Sequence, residues 1–196
     1  MGKRKGYQGE LPTTEQIEGE LKKERTHKQF GRVLRNTIFI LITVAAAAIL
    51  IATIFLPVMR IFGESMVPTI NKDEIVLSVK RSKFENGDII AFYNNNKILV
   101  KRVICGPGDW ITIQEDGQVI VNGVVLEEPY LQDRALGICD IEFPYQVPSN
   151  QYFVMGDQRS VSVDSRSSSV GCVETDAIVG RIVLCVWPLK SIRFIH

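Results

Sequence analysis

The chain has 196 residues, 45% of them hydrophobic, and a formal net charge of +1. This length suits one modest domain plus an appendage, and a charge so close to zero gives no footprint for a nucleic-acid partner. The average conceals a segregation, however: residues 37–59, TIFILITVAAAAILIATIFLPVM, hold no charge at all.

Residues 1–35 read as a polar cytoplasmic tail with one short helix. Within PTTEQIEGELKKER, Thr13 as N-cap and Gln16 three positions later form a capping-box pattern. Gly19 weakens that helix, so a solvated juxtamembrane segment is expected. The chain begins Met-Gly, but Gly6 stands where a myristoylation signal has Ser or Thr. The uncharged run comes next, and at about 1.5 Å per residue it covers a hydrocarbon core of roughly 30 Å. One transmembrane helix over residues 36–59 is therefore expected. The run is longer, and further from the chain start, than the apolar stretch of a cleaved secretory signal. Lys22, Lys23, Arg25, Lys28, Arg32 and Arg35 precede it, whereas Arg60 is the only basic residue after it until Lys72. The positive-inside rule then keeps the N-terminus in the cytoplasm and makes residues 60–196 the outer domain of a single-pass cell-membrane protein.

Beyond the span the pattern changes to short Val- and Ile-rich runs. EIVLSVK, DIIAFYN, KILVKRVIC, WITIQ, QVIVNGVVL, QYFVMGD and AIVGRIVLCVW are strand candidates, and ENGD, NNN, GPGD and EDG separate them as turns. Asn122-Gly123 is a tight-hairpin signal. The outer domain is expected to be mainly β, a coiled antiparallel sheet or partly open barrel. Cys105, Cys139, Cys172 and Cys185 show no CxxC spacing, so no structural zinc is expected. Their apolar surroundings leave free thiols and disulfides both open.

Chemistry in the outer domain must do without histidine. His27 lies on the cytoplasmic side and His196 is the last residue, so neither a Ser-His-Asp triad nor a His-rich metal site is expected. Ser65, in SMVPT, is a candidate nucleophile, with Pro68 restricting the backbone beside it. Lys101 interrupts the apolar run KILVKRVIC. Desolvation there would lower its pKa, and reaching about 8 takes roughly 3 kcal/mol of differential interaction. Such an amine is a workable general base. A third segment, GDQRSVSVDSRSSSVG, gathers Asp157, Arg159, Asp164 and Arg166 among serines, as a loop held by ion pairs would.

These three segments, in this order after a membrane span, resemble the bacterial type I signal peptidases. SMVPT is similar to the family's nucleophile box, KRVICGPGD to its lysine box, and GDQRSVSVDSR to its box of the GDNR…S-x-DSR kind. The resemblance implies Ser65 as acylated nucleophile and Lys101 as general base. Ser162 would hydrogen-bond and orient Lys101, Asp164 would pair with Arg166, Asp157 with Arg102, and Gly156 would lie near the site floor. Ile61, Phe62, Met66, Leu99 and Val100 would line shallow pockets for small residues at the positions one and three before the cut. It further implies no cofactor or metal, a mainly β catalytic domain, signal peptides of exported preproteins as substrates, and contact with membrane lipid near the secretion translocon.

The sequence departs from that pattern in places. Gln158 stands where Asn is usual, and Gly63 where some members have a Ser that donates to the oxyanion. Cys105 replaces a frequent Gly and reads either as a buried thiol or as one sensitive to alkylation. The short stretch before the last box implies a reduced accessory β domain. Two rival readings are a Ser/Lys self-cleaving repressor, which the membrane span disfavours, and a membrane-anchored β module that only binds.

Overall fold

The computed structural model describes residues 13–195, so the Met-Gly start and His196 lie outside the described residues. Helix α1 runs from Thr14 to Phe55. Thr13 sits just before it, its carbonyl accepting the Ile17 N–H at 3.1 Å. The expected tail helix and membrane helix are one continuous element. Gly19 and Gly31 each cost only about 1 kcal/mol in a helix interior, and no proline occurs between Pro12 and Pro57. Its stretch Gln29–Ile51 is long and apolar enough to cross a membrane, and every residue of it is exposed. The helix ends at Phe55, short of the expected boundary at residue 59. Pro57 disfavours the helical conformation for Leu56, and Val58–Arg60 pair as a strand instead. The chain divides into two compact units at Ile51/Ala52.

Nearly all the regular structure of the second unit is strand. The first seven are β1 (Val58–Arg60), β2 (Ile75–Val79), β3 (Ile89–Asn94), β4 (Lys97–Cys105), β5 (Trp110–Ile113), β6 (Val119–Val121) and β7 (Val124–Val125). Then follow β8 (Tyr145–Gln146), β9 (Gln151–Met155), β10 (Val173–Glu174), β11 (Ile178–Trp187) and β12 (Arg193–Phe194). Eight strands make one sheet in the order β1-β2-β11-β3-β4-β9-β10, with β12 added to β11. A smaller sheet has the order β7-β6-β5-β8. Neighbouring strands are antiparallel throughout, and the end strands β1 and β10 do not pair, so the large sheet is open rather than a closed barrel. The β6–β7 turn has Asn122 at φ 52° and Gly123 at φ 80°, the left-handed pair that such a hairpin requires.

Strand β4 is the hinge of the core. Val100 packs on a cluster with Met66, Ile70 and Ile89, Val103 joins one with Ile90 and Phe92, and Ile104 and Cys105 join one with Ile111 and Phe153. From Lys101 to Cys105 the strand is buried, which removes water from whatever that half carries. Its pairing is lopsided, however. β3 covers one edge over Lys97–Arg102, whereas β9 covers the other only between Arg102 and Cys105. Among the described residues, the second edge of residues 97–101 has no strand partner.

Candidate active site

Ser65 heads a run of turns in which the Val67 N–H donates to Glu64 O at 3.1 Å and the Ile70 N–H to Met66 O at 2.9 Å. Met66 and Ile70 are fully buried in the core, which pins the run from below. The Ser65 carbonyl accepts the Gln158 N–H at 3.0 Å. Its own N–H has no acceptor among the described residues. Lys101 reaches this segment from the middle of β4, and its Nζ lies 2.7 Å from Ser65 Oγ. Only 3% of Lys101 is exposed. Burial lowers its pKa to about 8; the Asp164 charge pulls it up, Arg166 pushes it down, and Asp157 pulls it up again.

Gly156 forms the floor. A side chain there would overlap the Ser162 hydroxyl and the Ser65 carbonyl oxygen, so only glycine lets the three segments meet. The expected hydrogen bond from Ser162 to Lys101 is not formed. Lys101 Nζ is turned onto Ser65, and the Ser162 hydroxyl packs against Gly156 as a buried oxygen without a hydrogen-bond partner among the described residues. Asp164 behaves as expected. Its carboxylate accepts Arg166 Nε at 2.8 Å and Nη2 at 2.9 Å, and also the Gly156 N–H at 3.0 Å. Burial alone would raise the Asp164 pKa, but Arg166, chiefly, and the Gly156 N–H together with other donors hold the carboxyl below its ordinary value. Asp157 accepts Arg102 Nε at 2.8 Å and Nη2 at 2.7 Å, as the sequence suggested.

Ile61, Phe62, Met66, Leu99 and Val100 all line one cleft, of about 750 Å³, that ends at Ser65 and Lys101. Ile61 and Met66 are buried as its base, whereas Phe62 is 74% exposed at the rim. Met59 and Ile98 also line it. Gly63 borders it, and a side chain added there would meet open space. Cys105 is the buried thiol of the two readings its sequence left open. It is fully buried, and its pKa is pushed up to about 12 by burial, then Asp109 and Cys172, so alkylation sensitivity is not expected. All four cysteines are free thiols.

Several polar residues that the motifs did not single out complete the surroundings. Thr69 Oγ1 donates to Asp157. Tyr130 lies under Arg102, with the guanidinium carbon 3.9 Å from the ring centroid, and its hydroxyl donates to Glu128 Oε1 at 2.8 Å. Glu128 accepts both terminal nitrogens of Arg159, and Arg159 Nε donates to Gly156 O at 3.1 Å. No sequence signal could have found Glu128 and Tyr130. They lie between β7 and β8 in a segment without strand or helix.

A hydroxyl in contact with a buried amine beside an apolar cleft can perform acyl transfer: the amine takes the hydroxyl proton as the oxygen attacks a carbonyl. Comparison with known proteins gives the family. Residues 34–187 match the family model described as signal peptidase, peptidase S26. The chain is 34% identical to signal peptidase I U of Bacillus subtilis (strain 168), over 86% of this chain and 95% of that protein. It is also 34% identical to signal peptidase I of Bacillus amyloliquefaciens, over 87% and 96%. A crystal structure of a signal peptidase I from Enterococcus faecalis V583 is similar at 31% identity and TM-score 0.43, covering 52% of this chain and 98% of that one. The chain thus belongs to the signal peptidase family, peptidase S26, and is a serine peptidase of the kind that removes signal peptides from preproteins.

Proposed function

We propose that Ser65 and Lys101 form the catalytic dyad and that the reaction passes through an acyl-enzyme. The observation that carries this reading is the 2.7 Å contact between Ser65 Oγ and the nitrogen of a buried lysine whose pKa lies at about 8. Neutral Lys101 accepts the Ser65 proton while Oγ bonds to the carbonyl carbon at the end of the signal peptide. The C–N bond then breaks, and Lys101 passes the proton to the departing amine. Water, deprotonated by the same lysine, hydrolyses the ester and frees Ser65. The unbonded Ser65 N–H is the donor available to the oxyanion. Gly63 supplies no hydroxyl to help it, so backbone donors carry more of that load than in members with Ser there. Asp164 and Arg166 stiffen the loop around Gly156, as do Asp157 and Arg102. Ser162, buried without a partner, is the hydroxyl left to orient the lysine once a substrate draws Ser65 away.

The signal peptide's last residues lie as an extended strand along the free edge of β4, with small side chains at the positions one and three before the cut, the Ala-x-Ala pattern. Ile61, Phe62, Met66, Leu99 and Val100 surround those side chains. Residues 1–35 form a cytoplasmic tail, and residues 60–196 an outer catalytic domain close to lipid and to the secretion translocon. The basic residues before the span support that orientation.

The test is cleavage of a preprotein with an Ala-x-Ala site by the full chain in detergent micelles. Wild type is expected to cut it, and folded Ser65→Ala and Lys101→Ala variants are expected to be inactive. Activity surviving in Ser65→Ala would overturn the mechanism.

A further inference from the structure

Around the site floor the polar contacts close on themselves. Asp157 holds Arg102 through two hydrogen bonds, and Arg102 stacks on Tyr130. Tyr130 donates to Glu128, Glu128 holds Arg159, and Arg159 donates to Gly156 O. The Gly156–Asp157 peptide bond completes a ring of six residues. All six except Tyr130 are buried, and the carboxylates and guanidinium groups neutralise one another. Burial also pushes the Tyr130 hydroxyl pKa well up, so it stays a donor to Glu128.

The ring touches the nucleophile segment on three sides. Thr69, four residues after Ser65, donates to Asp157. The Gln158 N–H, one residue along from the ring, donates to Ser65 O. Gly156 itself packs against that same carbonyl. Nothing else in the described residues holds the Ser65 backbone from this side. Two members of the ring, Glu128 and Tyr130, come from an irregular segment with no helix or strand to fix it, yet they span the gap between Arg102 on β4 and Arg159 on the loop.

We propose that Glu128 and Tyr130 are positioning residues for Ser65: by closing the ring they fix Gly156–Gln158, and through it the Ser65 backbone, without touching the substrate. This rests on Ser65 being the nucleophile. A displaced nucleophile costs turnover rather than binding, and a misplacement of about 1 Å can cost about a hundredfold. A ring also has a property that separate struts lack. One cut opens it, and a second cut removes little more.

The experiment measures kcat and KM for an Ala-x-Ala preprotein with the full chain in detergent micelles, and melting curves for each variant. The variants are Tyr130→Leu, Tyr130→Phe, Glu128→Gln and the double Glu128→Gln/Tyr130→Leu, with Ser65→Ala alongside. Tyr130→Leu and Glu128→Gln are expected to lose about tenfold to a hundredfold in kcat with KM changed by less than about threefold. Tyr130→Phe keeps the ring face under Arg102 and is expected to recover part of the loss. The double variant is expected to be no slower than the worse single one, within about twofold. A kcat at wild-type level in both single variants, or a double variant whose loss is the product of the two, would overturn the proposal. If Tyr130→Leu does not fold, Tyr130→Phe and its double with Glu128→Gln decide by the same two criteria. Ser65→Ala separates the two failures: its activity would sink the dyad, whereas its inactivity beside unimpaired ring variants would sink the ring alone.

Discussion

Lys101 Nζ sits 2.7 Å from Ser65 Oγ, and burial takes its pKa from 10.5 to about 8. At pH 7 only about a tenth of such an amine is neutral, so kcat/KM is expected to rise about tenfold per pH unit below 8 and level off above it. Initial-rate measurements from pH 5.5 to 9.5 check this, and a flat profile would contradict the lysine as base. The same burial works against the fold. Because the folded-state pKa lies below the unfolded value, protonation favours unfolding. The penalty is complete below about pH 8 and gone above about pH 10.5. Its size is at most about 3.5 kcal/mol, at roughly 1.4 kcal/mol per unit of pKa. Lys101→Met is therefore expected to be inactive yet more stable to urea at pH 7, with the advantage shrinking towards pH 10.5. An advantage that does not change with pH would mean that the lysine is not destabilised by its surroundings. The meeting of Ser65 with Lys101 and the pairing of Asp164 with Arg166 were legible because boxes of fixed local spacing carry them. The Ser162 contact was not, because a side-chain rotamer decides it, and Glu128 and Tyr130 were not, because only the folded chain brings them to Arg102 and Arg159.

The strands show what kind of pattern survives in a sequence. β2, β3, β4, β5, β9 and β11 were legible as Val- and Ile-rich runs between turn residues, and the β6–β7 hairpin through Asn122-Gly123. β1, β8, β10 and β12 are two or three residues long, too short for alternation, and exist because a neighbouring ladder accepts them. The end of α1 was misjudged for a related reason: Leu56, Val58 and Met59 are as apolar as a membrane span, and only Pro57 marks the change. Ladder geometry also answers the cysteine question. Cys105 pairs with Phe153 on β9, and β10 pairs with β9 on the far side beginning at Val173, next to Cys172. Two strand spacings are about 9.6 Å, beyond the reach of a disulfide, which ends near 7 Å between Cα atoms. Burial also raises the Cys172 pKa to about 11. Native protein is thus expected to offer a thiol reagent at most Cys139, with the other three reacting only after unfolding. Mass spectrometry after brief alkylation reads this directly, and rapid labelling of Cys105 would contradict the packing.

At the scale of the whole molecule, silent native thiols make the orientation measurable. In a Cys139→Ser background, Glu18→Cys and Ser82→Cys place a single reactive thiol on the exposed part of α1 and on the exposed loop between β2 and β3. A membrane-impermeant maleimide applied to intact cells is expected to label the second variant and not the first; the reverse pattern would overturn the proposed topology. The unpartnered edge of β4 has a consequence of a different sort. A peptide that completes the sheet is held by its backbone, and alternate residues along an antiparallel strand turn their N–H groups towards the neighbour. Proline has none to offer. Tolerance for proline in the last residues of a signal should therefore alternate, forbidden at one position and harmless at the next. That rule would be written in the main chain alone, beneath and independent of any preference for alanine, and the preproteins a cell can export would have to obey both.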